Sequence, residues 1–148
     1  MAEPNLIINF AAIGVSIIAG MVVGFLWYGP VFGKVWARLM GMPEDFKPTK
    51  DAMTKAMVLQ VAGLFLTSYV LAHSGQVWRP SVWGAGVDEG SALMWGFMSA
   101  FFTWIGFYIP MQFSKVAWEN RPWKLFFINI GHDFAVLLTI SVILAAWR

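Results

Sequence analysis

The chain reads as an all-α integral membrane protein, with four transmembrane helices in a bundle and a short interfacial amphipathic helix after the first span. Three observations predict this. Four apolar stretches are each long enough to cross about 30 Å of hydrocarbon, which takes roughly 20 residues of helix. Only 12% of the residues are charged and 59% are hydrophobic, whereas a soluble domain carries about 25% charged residues to cover its water-facing surface. No stretch alternates in polarity as the strands of a membrane barrel do. A chain of 148 residues is expected to form one domain, spanning 1–148.

The first span is expected over about 6–28. The opening "MAEPN" lacks a basic n-region, and the apolar run after it is longer than a signal h-region, so the span is read as retained. In "VFGKVWARLMG", residues 31–41, Val31, Val35 and Leu39 recur every four residues while Lys34 and Arg38 share another face. That pattern fits an amphipathic helix lying in the headgroup region, read as a surface anchor rather than a gate. "MPEDFKPT" is a turn, and Thr49 is placed to cap the second span, expected over about 52–73. The third span, about 90–111, contains Pro110, which frees the carbonyl near Gly106 and is expected to kink or end the helix there. The fourth covers about 123–147.

Orientation follows the basic residues. Lys34, Arg38, Lys47, Lys50 and Lys55 lie in or beside the first loop, and Lys115, Arg121 and Lys124 in or beside the third. Only Arg79 borders the second loop, and Arg148 ends the chain. The side with eight of the ten basic residues is expected to be cytoplasmic, which places both termini outside the cytoplasm. Trp27, Tyr28, Trp118 and Trp123 then mark the inner interface, and Trp78, Trp83, Trp95 and Trp147 the outer one.

Helical spacing sorts small and polar residues onto single faces. Asn5, Asn9, Ala12, Ser16, Gly20 and Gly24 form such a seam on the first span, and Ala56, Gln60, Gly63 and Thr67 on the second. Ser91, Trp95, Ser99, Thr103, Gly106 and Pro110 follow on the third; Asn129, His132, Asp133 and Val136 begin the fourth. Ser16, Gly20 and Gly24 are read first as a helix-packing motif, because small residues let membrane helices approach closely. Whether they pack within the chain or against a second copy is left open.

At about 1.5 Å per residue, Asn129 and Gln60 lie roughly 10 Å in from the basic side. Asp133 lies roughly 15 Å in, level with Ser16, Ser99 and Thr103, and Asn9 lies near the opposite face. Asp133, His132, Asn129, Gln60, Ser99, Thr103 and Asn9 are therefore the candidate intramembrane polar site. Hydroxyls, His132 and water are the expected partners of Asp133, with no Lys or Arg at its depth. Intramembrane ionisable groups are functional candidates by default. Two readings stand: a proton or cation site, or a protonated aspartate bridging helices.

Other chemistries fit less well. The chain has no cysteine, so disulfides and thiolate metal sites are excluded. His73 and His132 differ by roughly 15 Å in depth at 1.5 Å per residue, too far to clamp one haem. No metal, other cofactor or catalytic set is expected, and Asp88–Glu89 is read as a solvated turn. The net charge of +2 gives no reason to expect a nucleic-acid partner.

"GFLWYGPVFGKVWARLMG" (24–41) and "RPWKLFFINIGHDFAVLLTISVILAAW" (121–147) together resemble the bacterial membrane family called domain of unknown function 1761. The residues carrying the first match are Leu26, Trp27, Tyr28, Pro30, Phe32, Gly33, Lys34 and Trp36. Those carrying the second are Lys124, Phe126, Ile128, Asn129 and Gly131. His132 and Asp133 stand where that family often has an aromatic residue and a neutral one. The resemblance implies a four-helix integral membrane protein and brings no reaction with it; the bacterial inner membrane is the expected location. The expected function is non-enzymatic binding and assembly among membrane lipids, as a homo-oligomer, with the polar seam serving structure. The alternative is a small channel or transporter for protons or a small cation or solute using Asp133 and His132.

Overall fold

A computed structural model describes residues 3–43 and 45–148, and every regular element among them is helical. In chain order they are α1 (Phe10–Val31), α2 (Gly33–Leu39), α3 (Lys50–Val77), a short 3₁₀ turn (Pro80–Trp83), α4 (Ala92–Glu119) and α5 (Trp123–Ala146). All but α2 and the 3₁₀ turn are long and apolar enough to cross a membrane. The four-helix architecture expected from the sequence is the one observed.

The helix starts follow from local chemistry. The Asn9 side chain accepts from the backbone N–H groups of Ala11 and Ala12 at 3.0 and 3.1 Å, so α1 begins at Phe10 rather than at residue 6. Thr49 caps α3 as expected, accepting from Ala52 N at 3.2 Å, and Ser91 caps α4 in the same way through Met94 N. These side chains satisfy N–H groups that the first helical turn leaves without a partner.

Pro110 does not end the third span. The helix continues to Glu119, because the chain opens into a wide π turn over Trp104–Tyr108 just before the proline. Such a turn relieves the clash between a proline ring and the preceding turn of helix. The last turn of α1, Trp27–Val31, widens in the same way around Pro30.

α5 is the centre of the bundle, and α1, α3 and α4 all pack on it. The α4–α5 crossing is closest at Gly96, where a Cβ would stand 2.6 Å from the Val142 Cα. Ser16 is fully buried, a Cβ on Gly20 would meet the Leu64 Cδ2 at 2.8 Å, and one on Gly24 would meet the His132 Nε2 at 3.4 Å. The small-residue seam of α1 therefore packs inside the chain, against α3 and α5. The core it helps enclose contains Leu64, Leu71, Ala100, Val136, Leu137 and Ile140.

α3 shares only its second half with this core. From Lys50 to Gly63 every residue is exposed, including Met53, Met57, Val58 and Leu59; burial begins at Leu64. The helix leaves the bundle at the end that carries the basic loops. The opposite end is tightly tied. Gln76 exchanges hydrogen bonds with the backbone of Ile7, and Asn5 N donates to Val82 O.

Asp88 is not the solvated turn residue expected from the sequence. Its carboxylate accepts from the Ser81 N–H at 2.9 Å, the Ser81 hydroxyl at 2.8 Å and the Arg148 guanidinium at 2.7 Å. Arg79 stands 3.6 Å away, with its guanidinium over the Trp95 ring. Burial by itself would raise the Asp88 pKa, but the two Ser81 hydrogen bonds and Arg148 together bring it down to about 2. Arg79 is held below its ordinary value, first by burial and then by Arg148. Trp95, expected as an interface marker, is thus engaged in this cluster, whereas Trp78, Trp83, Trp118, Trp123 and Trp147 are exposed.

Candidate functional site

Because α3 departs from the bundle, the four helices enclose a cleft of about 420 Å³ at the basic end. Its polar wall comes from α5, where Asn129 and Asp133 are one turn apart and His132 lies beside them. The facing wall comes from α4, where Gln112, Lys115 and Glu119 recur at helical spacing. Tyr28 of α1, Trp36 of α2 and Gln60 of α3 complete the lining.

The side chains at the deep end are bonded to one another. Gln112 Nε2 donates to Asp133 Oδ2 at 3.1 Å, and His132 Nδ1 stands 3.3 Å from Asp133 Oδ1. The Tyr28 hydroxyl donates to Asn129 Oδ1 at 3.0 Å. The Tyr28 ring packs on His132 at 4.6 Å and on Trp36 at 5.2 Å between centroids. At the mouth Arg121 pairs with Glu119 at 3.4 Å. Among the described residues, no Lys or Arg forms an ion pair with Asp133. Its side chain keeps 17% of its surface accessible.

Two tryptophans hold this geometry. Trp27 donates its indole N–H to the Ile128 carbonyl at 3.0 Å, and Trp104 donates to the Ile130 carbonyl at 2.8 Å. Each opens one of the two π turns, so each wide turn is pinned to α5. Wide turns of this kind recur at functional sites. Trp27, expected as an interface marker, is a half-buried contact on α5 instead.

The candidate residues divide cleanly. Asp133, His132, Asn129 and Gln60 line the cleft together. Ser99 does not reach Asp133; it lines a cavity of only about 20 Å³ at the other end, beside Gly75, Arg79 and Ser141. Thr103 lies outside both cavities, and Asn9 is spent on capping α1. Gln112 and Tyr28 are the partners the sequence reading missed. The sequence puts Gln112 just beyond the end of its span and Tyr28 at the membrane interface. A regular stripe was available to find Gln112. Gly96, Ala100, Trp104, Tyr108 and Gln112 recur every fourth residue; Gly96 and Ala100 are buried, and the other three bond across to Ile130, Thr67 and Asp133.

A family model described as "Protein of unknown function (DUF1761)" matches residues 11–145. The chain belongs to the DUF1761 family. The match runs from the first turn of α1 into the last turn of α5, so the whole cleft lies inside the DUF1761 region. No curated protein and no solved structure matches the chain.

Proposed function

We propose that this DUF1761 protein is a non-enzymatic binding protein of the bacterial inner membrane, taking a small polar ligand into the cleft from the cytoplasmic side. One observation carries the reading. Asp133, an acid with no Lys or Arg ion-paired to it among the described residues, is reached from the basic end through an open polar cleft. A carboxyl needed only to bridge helices is better served by a dry, closed environment, since exposure to water weakens the bond it makes. The apolar cluster of Leu64, Leu71, Ala100, Val136, Leu137 and Ile140 separates this cleft from the small cavity at the far end. That closure favours binding over a continuous channel.

The excess of Lys and Arg at the cleft end supports its assignment to the cytoplasm, with both termini outside. Homo-oligomeric assembly remains part of the proposal, but it must use faces other than the Ser16–Gly20–Gly24 seam, which is filled by this chain's own α3 and α5. Transport of a proton or small cation through Asp133 and His132 is a second reading. It is favoured by the two π turns, one of which supplies Tyr28 to the cleft, since such turns recur at functional sites.

The chain lacks cysteine, so single-cysteine variants have no background. Val116→Cys, half-buried in the cleft wall, is expected to react with a small water-soluble thiol reagent. Phe127→Cys, on an exposed outer face of α5, is expected to be shielded by lipid. Equal resistance of both positions in lipid nanodiscs would remove the wet cleft and the binding role with it.

A further inference from the structure

We propose that the ligand of the cleft is an organic ammonium ion, held with its cationic head between Asp133 and the rings of Tyr28 and Trp36. This inference rests on the cleft being an open binding site, as proposed above.

The donor set decides the class. A carboxylate inside a membrane protein calls for a cation or a set of hydrogen-bond donors. Asp133 receives one amide donor from Gln112 and faces one ring nitrogen of His132. A carboxylate has about four lone-pair sites, so part of its capacity is still open toward the cleft it lines. An anion entering the deep end would meet this same carboxylate. Among the described residues lining the cleft the cations are Lys115 and Arg121, both toward the mouth: Lys115 is exposed about one turn beyond Gln112, and Arg121 is paired with Glu119. A hard metal ion needs several oxygen or nitrogen ligands to replace its hydration shell. Among the described residues no group of three His, Asp or Glu side chains stands together to supply them.

An ammonium ion carrying alkyl groups fits both kinds of wall. Its charge pairs with the carboxylate, and its weakly hydrated methyl or methylene surface rests on aromatic faces that attract cations through the ring quadrupole. Tyr28 and Trp36 stand 5.2 Å apart between centroids and both line the cleft, Tyr28 against His132 of α5 and Trp36 on α2. The Tyr28 hydroxyl is occupied by Asn129, which fixes the ring in place. A cavity of about 420 Å³ accommodates a small amine. It also accommodates the head of an ethanolamine or choline lipid entering beside the exposed half of α3.

The test measures protection of Val116→Cys from methyl methanethiosulfonate, an uncharged thiol reagent, in full-length protein in phosphatidylglycerol nanodiscs. Choline is compared with its uncharged isostere 3,3-dimethylbutan-1-ol and with acetate. Choline is expected to slow labelling at least tenfold, with little effect from the other two. The protection should be lost in the Asp133→Asn background and reduced in Trp36→Leu, which lies outside the buried core. If the cysteine reacts but choline protects no better than the isostere, or acetate protects better, the ammonium assignment is overturned while the open cleft stands. If the cysteine does not react at all, the cleft reading itself fails. Repeating the experiment in phosphatidylethanolamine nanodiscs separates the sources. Slow labelling without added choline assigns the site to a lipid headgroup, and unchanged labelling assigns it to a free amine.

Discussion

Gln112 and Asp133 meet across the cleft between α4 and α5 at 3.1 Å, although 21 positions separate them in sequence. The contact depends on α4 continuing past Pro110, and it turns a lone intramembrane acid into one wall of a shared polar site.

Replacing Asp133 by asparagine is expected to keep the fold, because an amide can still accept from Gln112 and donate to water. Asp133→Leu removes that acceptor and is expected to cost about 1–3 kcal/mol, toward the lower end because water in the cleft can replace it. Thermal unfolding in detergent checks the order. A leucine variant as stable as the asparagine one would count against the hydrogen bond.

The two close approaches are predicted to differ. A Cβ at Gly96 meets backbone of α5 at 2.6 Å, whereas at Gly20 it meets the end of a flexible leucine side chain at 2.8 Å. At Gly14 it meets nothing within 4 Å. Alanine substitutions should therefore destabilise in the order Gly96, Gly20, Gly14. The Gly14 variant should be at least as stable as the parent, since alanine favours helix by about 1 kcal/mol over glycine. Melting temperatures of the three variants settle the order.

The ionic cluster at the far end gives a pH signature. The folded-state pKa of Asp88 is depressed to about 2, below the ordinary value of about 3.9. A depressed acid contributes stability that is complete above its unfolded pKa and is lost as pH falls through its folded pKa. The contribution should thus be full above about pH 4 and fade toward about pH 2. Asp88→Asn should be less stable than the parent at pH 7, and the gap should close by pH 2. A gap that persists unchanged in acid would show that the charge on Asp88 is not what holds the cluster.

The π turn in α4 also makes a prediction about deletions. In a regular helix a stripe recurring every fourth residue drifts by about 40° per step. The wide turn takes back part of that drift, so that Gly96 and Gln112 both face α5. Deleting Gly106 from this turn, combined with Pro110→Ala to remove the ring the turn accommodates, should leave a more regular helix with both ends in register. Deleting Met98, within the regular part of α4, should rotate everything on one side of it by about 100°. The first variant is expected to stay folded and the second to lose most of its thermal stability. Equal losses would mean that the π turn is not the element absorbing the extra residue.

The fold was legible because composition and span length carry it. Capping by Thr49 and the α2 helix could also be read locally. Half of the site could be read too, since Asn129, His132, Asp133 and Gln60 announce themselves as polar residues in apolar helices. The rest depended on physics that fixed helical spacing does not contain. The sequence ends the third span near Pro110, but the π turn carries α4 on to Glu119, so depths counted from residue 111 are about two turns too shallow, which draws Ser99 and Thr103 to Asp133 and leaves Gln112 out. Asp88 was misread for another reason. Its partners Ser81, Arg79 and Arg148 come together only when the chain end returns to the second loop.

The central claim is that water reaches Asp133 from the basic end alone. Asp133→Cys in sealed vesicles of defined orientation tests it, using a small impermeant thiol reagent added to one side at a time. Modification from the side bearing Lys115 and Arg121, with protection from the side bearing Arg79, is the predicted result. No modification from either side, or modification only from the Arg79 side, would contradict it.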